Sequence, residues 1–128
     1  MQPDRDPAAP RMAVLSVNEA AARQDDGSGA LLVDVRERNE LVELRPVGAV
    51  LLPMSELPAR IEELPKDRAL MFICLSGARS GRVASYLAQQ GYADVANVSG
   101  GMLAWKAAGL PTHSGPIDPR EETIPAVS

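Results

Sequence analysis

Two short segments, Ala30–Val35 (ALLVDV) and Ala69–Cys74 (ALMFIC), are apolar at nearly every position. A strand with one wet face alternates apolar and polar residues, so unbroken runs of this length are expected of strands buried on both faces. That requirement constrains the fold more than any other feature, because a sheet buried on both faces needs helices on both sides. The rest of the chain supplies them. Ser16-Val17-Asn18-Glu19 reads as a capping box opening a helix that ends before the turn cluster Asp25–Gly29. Ser55 is expected to cap a helix with Leu57, Ile61 and Leu64 on one face and Pro65 at its end. A third helix runs from Arg79 to Gln90, with Val83, Ala84, Leu87 and Ala88 on one side and Gly91 as its stop. A last one covers Met102–Ala108 and ends at Gly109 and Pro111. Ala13–Leu15, Ala49–Leu52 and Val95–Val98 are the remaining strands, and Arg36–Leu44 is a short, irregular helix. The expected architecture is α/β, with strands and helices alternating around a parallel sheet.

At 128 residues the chain is expected to form one domain. Its body spans residues 12–114. Residues 1–11 and 115–128 are rich in proline and charge, lack periodicity and read as flexible ends. With one cysteine and one histidine, no intrachain disulfide framework and no clustered metal site are expected, and no cofactor is implied. A net charge of −4 argues against a nucleic-acid surface, although a few local arginines can still dominate one cleft. No apolar stretch approaches the ~20 residues needed to span a bilayer. The N-terminus has no apolar core of a secretory signal, so a cytoplasmic location is expected.

In parallel sheets, ligands bind outside the carboxyl ends of the strands, and Cys74 is the last residue of the most apolar run. The segment Cys74-Leu75-Ser76-Gly77-Ala78-Arg79-Ser80 joins that strand to a helix. Such a loop, with Gly77 free to take positive φ, can aim successive backbone N–H groups into one concavity. The helix N-terminus adds further donors. A thiol there is expected to have a lowered pKa and to react as the thiolate. A lone strand-end cysteine can equally be a small buried hydrophobe, but the Gly, Ser and Arg that follow favour a nucleophile.

Three separated motifs resemble the single-domain rhodaneses, sulfurtransferases that carry sulfur as a cysteine persulfide. They are Leu32-Val33-Asp34-Val35-Arg36-Glu37, the loop Cys74 to Ser80, and Ser99-Gly100-Gly101-Met102-Leu103-Ala104-Trp105 followed by Gly109-Leu110-Pro111. The resemblance covers roughly residues 13–113. It implies a rhodanese-like five-stranded parallel sheet with helices on both faces. It also implies transfer of sulfane sulfur from thiosulfate or a related small anionic donor to cyanide or a thiol through a persulfide on Cys74, with a protein acceptor also compatible. One departure is the stretch Leu44-Arg45-Pro46-Val47-Gly48-Ala49, where the family commonly reads Gly-His-Ile-Pro-Gly-Ala. Arg45 stands in the histidine position, so an altered turn with an intact sheet is expected.

In this scheme Cys74 is the catalytic nucleophile, and Leu75, Ser76, Gly77, Ala78, Arg79 and Ser80 bind the substrate or persulfide. Arg79 is expected to orient the donor's sulfonate and lower the Cys74 pKa. Ser80 either hydrogen-bonds the persulfide or caps its helix. Asp34 and Arg36 are supporting residues, Asp34 bracing the loop or pairing with Arg36, and Arg36 meeting the anion or serving that ion pair. Arg82 is expected at the surface and Trp105 in the core. His113 has no triad-like partners. Leu75, directly after the nucleophile, makes the rim less charged and hints at a less strictly anionic donor.

Two other readings remain. Cys-dependent phosphatases and arsenate reductases use Cys-x5-Arg, but here only four residues separate Cys74 from Arg79, giving a smaller cup. A phosphatase also needs a general acid, and no loop aspartate supplies one. The third reading is a non-catalytic binding module on the same fold.

Overall fold

The computed structural model describes residues 12–125; the N-terminal segment 1–11, expected to be flexible, lies outside the described residues, as do 126–128. In chain order its strands are β1 (Ala13–Leu15), β2 (Leu31–Asp34), β3 (Arg45–Pro46), β4 (Val50–Leu51), β5 (Leu70–Ile73), β6 (Val95–Val98) and β7 (Thr112–His113). Five of them form one sheet in the order β1-β6-β5-β2-β4, and every pairing in it is parallel. The apolar run Ala69–Cys74 supplies β5, the central strand. Every residue of β2 and β5 is buried, as their composition requires, whereas Ala13 and Val14 of the edge strand β1 are exposed.

The helices are α1 (Val17–Gln24), α2 (Arg38–Leu41), α3 (Leu57–Arg60), α4 (Ala78–Gln89) and α5 (Gly101–Ala107). Strand side chains alternate between faces, and two cores result. Val33, Leu70 and Phe72 pack with Leu57 of α3 and Val83 and Leu87 of α4. Leu32, Met71 and Ile73 pack on the opposite face with Val17 and Ala20 of α1, Leu41 of α2 and Trp105 of α5. Each fully buried Leu or Phe of this kind contributes roughly 2 kcal/mol of transfer free energy.

Ser16 forms the expected capping box, accepting from the Glu19 N–H at 3.1 Å while Glu19 accepts from the Ser16 N–H at 2.8 Å. Ser55 does not cap α3. Its hydroxyl and N–H both bind the Glu37 carboxylate, at 2.7 and 3.1 Å, and Pro58 occupies the first turn of α3 instead. Leu57, Ile61 and Leu64 do share one face, but the helix tightens to a 3-10 turn over Ile61–Glu63.

Residues 115–125 also depart from expectation, because they pack along the domain instead of forming a flexible tail. A 3-10 turn, Pro119–Glu122, lies against β4, the outer strand of the sheet, while Ile117 and Ile124 each join one of the two cores. Arg45 fixes this strap. Its fully buried guanidinium donates to the carbonyls of Leu41 (3.0 Å), Gly115 (2.8 Å) and Pro116 (3.1 Å), and to both oxygens of Glu121 (2.8 and 3.0 Å). Arg38 adds ion pairs to Glu56 and Glu122. The sheet itself is intact, and Arg45 lies in a small antiparallel ribbon where β3 pairs with β7.

Removing a buried cation leaves Glu121 and three carbonyls without their donor. Arg45→Ala is therefore expected to lose about 3 kcal/mol in urea denaturation. The bond from Arg45 holds Glu121 below its ordinary carboxyl value of 4.5, so its contribution is present above that value and lost as pH falls through the folded pKa. Glu121→Gln should accordingly be less stable than the native chain at pH 7, with the deficit disappearing in acid.

Candidate active site

Cys74 immediately follows β5 at the carboxyl edge of the sheet, one residue beyond the pairing of Ile73 with Asp34. The chain turns there through Leu75 and Ser76 to Gly77, whose φ of +105° is a left-handed value that favours glycine. Gly77 precedes α4, which begins at Ala78. The Gly77 N–H donates to the Cys74 Sγ at 3.1 Å, and the Ser80 Oγ lies 3.2 Å from the same sulfur. Leu75 projects to the rim, 41% exposed.

The loop is clamped from behind by α5. The Met102 N–H donates to the Cys74 carbonyl at 2.8 Å and the Leu103 N–H to the Leu75 carbonyl at 3.1 Å. A Cβ on Gly101 would stand 2.4 and 2.5 Å from those two carbonyl oxygens, so only glycine permits the approach. The motif Ser99–Trp105 thus does two things: Gly101 lets α5 meet the Cys74 loop, and Trp105 anchors α5, fully buried with its indole N–H on the Pro111 carbonyl at 2.9 Å.

Burial pushes the Cys74 thiol up, but the Ser80 hydroxyl and the backbone N–H groups of Ser80, Gly77 and Ser76 outweigh it, and the net shift is downward. Ser80 is buried, and its hydroxyl meets the sulfur and makes no cap bond for α4. Its single O–H has a second acceptor, the Asn97 Oδ1 at 2.6 Å, while the Asn97 side-chain N–H donates to the Gly77 carbonyl at 3.1 Å. Asn97 on β6 therefore holds both ends of the sulfur-binding turn. Sequence reasoning missed it, although one amide in the apolar stretch Val95-Ala96-Asn97-Val98 was the available signal.

The arginines are arranged differently from expectation. Asp34 and Arg36 form a buried ion pair, with Arg36 Nε 3.0 Å from Oδ1 and Nη2 2.8 Å from Oδ2, and Nη2 also bonds the Leu44 carbonyl at 2.8 Å. Burial pushes the Asp34 carboxyl up against the opposing pull of Arg36. Arg79, expected to lower the Cys74 pKa and face the donor, is clasped by Glu40 on α2 at 2.7 and 2.8 Å. That pair holds Glu40 below and Arg79 above their ordinary values. The depression at Cys74 is carried mainly by hydrogen-bond donors of its own loop. Arg82 is exposed, and His113 is exposed in the β3–β7 ribbon. Beside the loop a cleft of about 380 Å³ is lined by the charged Arg36, Glu40, Glu43 and Lys106 and the apolar Leu44, Leu75, Met102 and Leu103.

A rhodanese-like domain model matches residues 16–108. A sulfurtransferase of Allochromatium vinosum is 45% identical over 70% of this chain and 83% of its own length. The thiosulfate sulfurtransferase GlpE of Shewanella oneidensis is 33% identical over 73% of this chain and 92% of its own. A solved rhodanese-like domain protein of Staphylococcus aureus superposes with a TM-score of 0.68 at 31% identity, covering 73% of this chain and 91% of that one. Among the described residues no helix is long and apolar enough to cross a membrane.

The hydrogen-bond account of Cys74 gives a test. Alkylation by iodoacetamide against pH should inflect below the ordinary thiol value of 9.0. Ser80→Ala should move the inflection upward and slow alkylation at pH 7 several-fold, since a bond to a charged acceptor is worth about 1.5–3 kcal/mol. Asn97→Ala should also change the profile by releasing the turn. An unaltered profile in Ser80→Ala would transfer the effect to the backbone donors alone.

Proposed function

The chain belongs to the rhodanese-like domain family, with sulfurtransferases among its relatives, and from that premise we propose that it moves sulfane sulfur through a persulfide on Cys74. The observation that carries this reading is the seat of the sulfur: a thiol at the end of the central strand, with N–H and O–H donors converging on it and its pKa lowered. In the first half-reaction the thiolate attacks the outer sulfur of the donor. With thiosulfate, the S–S bond breaks, sulfite departs with the bonding electron pair, and Cys74 is left as Cys–S–S⁻. In the second half, a cyanide ion or a thiol attacks the terminal sulfur, and the Cys74 thiolate leaves. One enzyme form is exchanged for another, so ping-pong kinetics are expected.

Each residue of the loop has a part in this cycle. The N–H groups of Ser76, Gly77 and Ser80 stabilise the thiolate and then the persulfide anion, as an oxyanion hole stabilises oxygen. The Ser80 hydroxyl donates to sulfur when charge is present there. When the charge is absent, it can turn to Asn97. Leu75 forms the rim, and Ala78 opens the helix whose N-terminal donors complete the cup. The Asp34–Arg36 pair braces the strand end beneath. A reactive lone thiol persists best in a reducing compartment, which favours the cytoplasm.

Incubation with thiosulfate followed by intact-mass measurement should show an adduct of one sulfur, about 32 Da, as a persulfide-forming thiolate requires. Cyanide should remove it. The adduct should be missing from Cys74→Ala, and p-nitrophenyl phosphate should not be hydrolysed. No adduct, or one that survives in Cys74→Ala, would overturn the proposal.

A further inference from the structure

Both arginines nearest the sulfur are committed to carboxylates. Arg36 is locked on Asp34 and the Leu44 carbonyl. Arg79 gives Nη1 to Glu40 Oε1 and Nη2 to Oε2, at 2.7 and 2.8 Å. That two-pronged fit uses the same fork that would otherwise meet two oxygens of a sulfonate. Glu40 is itself held in place, since its Oε1 also accepts the Glu37 N–H at 3.2 Å in the capping box that opens α2. A carboxylate tethered this way faces Arg79 at an effective concentration of roughly millimolar or more. A free dianion at comparable concentration gains little by displacing it.

The lining of the cleft beside the loop carries no net charge, since Arg36 and Lys106 are balanced in number by Glu40 and Glu43. It offers apolar surface as well: Leu75 is 41% and Leu103 59% exposed, and both line it. Single exposed leucines are ordinary, but two of them flanking a proposed nucleophile bear on what approaches it.

We propose that Glu40 is a specificity-determining residue that withholds Arg79 from the donor, so that the site favours sulfane donors of low charge bearing an apolar group over inorganic thiosulfate. This rests on the persulfide reading of Cys74. Attack on thiosulfate gathers three negative charges at the loop, one from the thiolate and two from the donor. Attack on an arenethiosulfonate, Ar–SO₂–S⁻, gathers two. The terminal sulfur bonds to Cys74 as Cys–S–S⁻, the S–S bond of the donor breaks, and ArSO₂⁻ leaves with its electron pair. The aryl ring then has Leu75 and Leu103 to cover, which favours its burial.

The test compares kcat/KM for thiosulfate and benzenethiosulfonate in the native chain and in Glu40→Gln, which removes the charge while keeping an oxygen for the Glu37 N–H. The thiosulfate-to-benzenethiosulfonate ratio should rise about two- to fivefold in Glu40→Gln, the scale of one partly exposed ion pair. Adding Arg79→Gln should abolish the gain. The native chain provides a measurement that needs no variant. Thiosulfate kcat/KM should be flat or rise with ionic strength, because salt does not weaken an attraction that Glu40 already cancels at Arg79, whereas in Glu40→Gln it should fall. An unchanged ratio in folded Glu40→Gln, or a steep fall with salt in the native chain, would overturn the role of Glu40. Failure of both donors to load sulfur on Cys74 would instead overturn the persulfide reading itself.

Discussion

The hydrogen bonds from the start of α5 to the carbonyls of Cys74 and Leu75 are the contact on which the functional architecture depends. A strand that ends at the edge of a sheet leaves carbonyls in need of donors, and a helix begins with N–H groups that have no partner within it. Here the two deficits cancel: Met102 and Leu103 donate to Cys74 and Leu75 at 2.8 and 3.1 Å. The approach is so close that any side chain at Gly101 would collide with the strand end. With its carbonyls tied down behind, the turn presents its N–H groups to the sulfur in front. Trp105, buried one turn further along α5, keeps the clamp in register with the core.

Charge is deployed in a way that follows from burial. Arg36 and Arg45 are taken out of water, and each is met by a carboxylate and by backbone carbonyls, since an unmatched buried cation would cost several kcal/mol. Arg79 is less buried but is clasped just as completely by Glu40. Cations in this molecule therefore hold elements together: Arg36 a strand end, Arg79 α4 against α2, and Arg45 the strap of residues 115–125. Stabilisation of negative charge on sulfur is left to oriented N–H and O–H dipoles, which need no counter-ion and no reorganisation when the charge appears.

What could be read in the sequence follows from the range over which each feature acts. β2 and β5 were legible because burial on both faces leaves almost no polar position in the run, Asp34 alone excepted, and the Ser16–Glu19 box because its two bonds span three residues. Cys74 and the turn after it were legible for the same local reason. Features that depend on distant partners were not. Ser55 has the chemistry of a cap, but Glu37, 18 residues away, claims both its donors. Arg79 carries the right group at the helix start, but nothing in the local sequence announces Glu40 across the cleft. The proline-rich stretch after residue 115 lacks periodicity because its order comes from Arg45 and two isoleucines meeting a surface already formed.

The sulfur's position explains why its support must be so dense. Cys74 has no exposed surface, and burial alone would raise the thiol pKa and suppress the thiolate. The net lowering is the residue of two opposed effects, desolvation against hydrogen bonding, and the two arginines nearest the sulfur are both engaged by carboxylates. Loss of one donor therefore shifts the balance further than it would in a site built around an arginine. It follows that residues which never touch the sulfur matter to its chemistry through orientation alone. Asn97 holds the Gly77 carbonyl and competes for the Ser80 proton, so it governs how many of the donors face Cys74 at once. A thiolate stabilised by dipoles is only as reactive as the geometry that aims them.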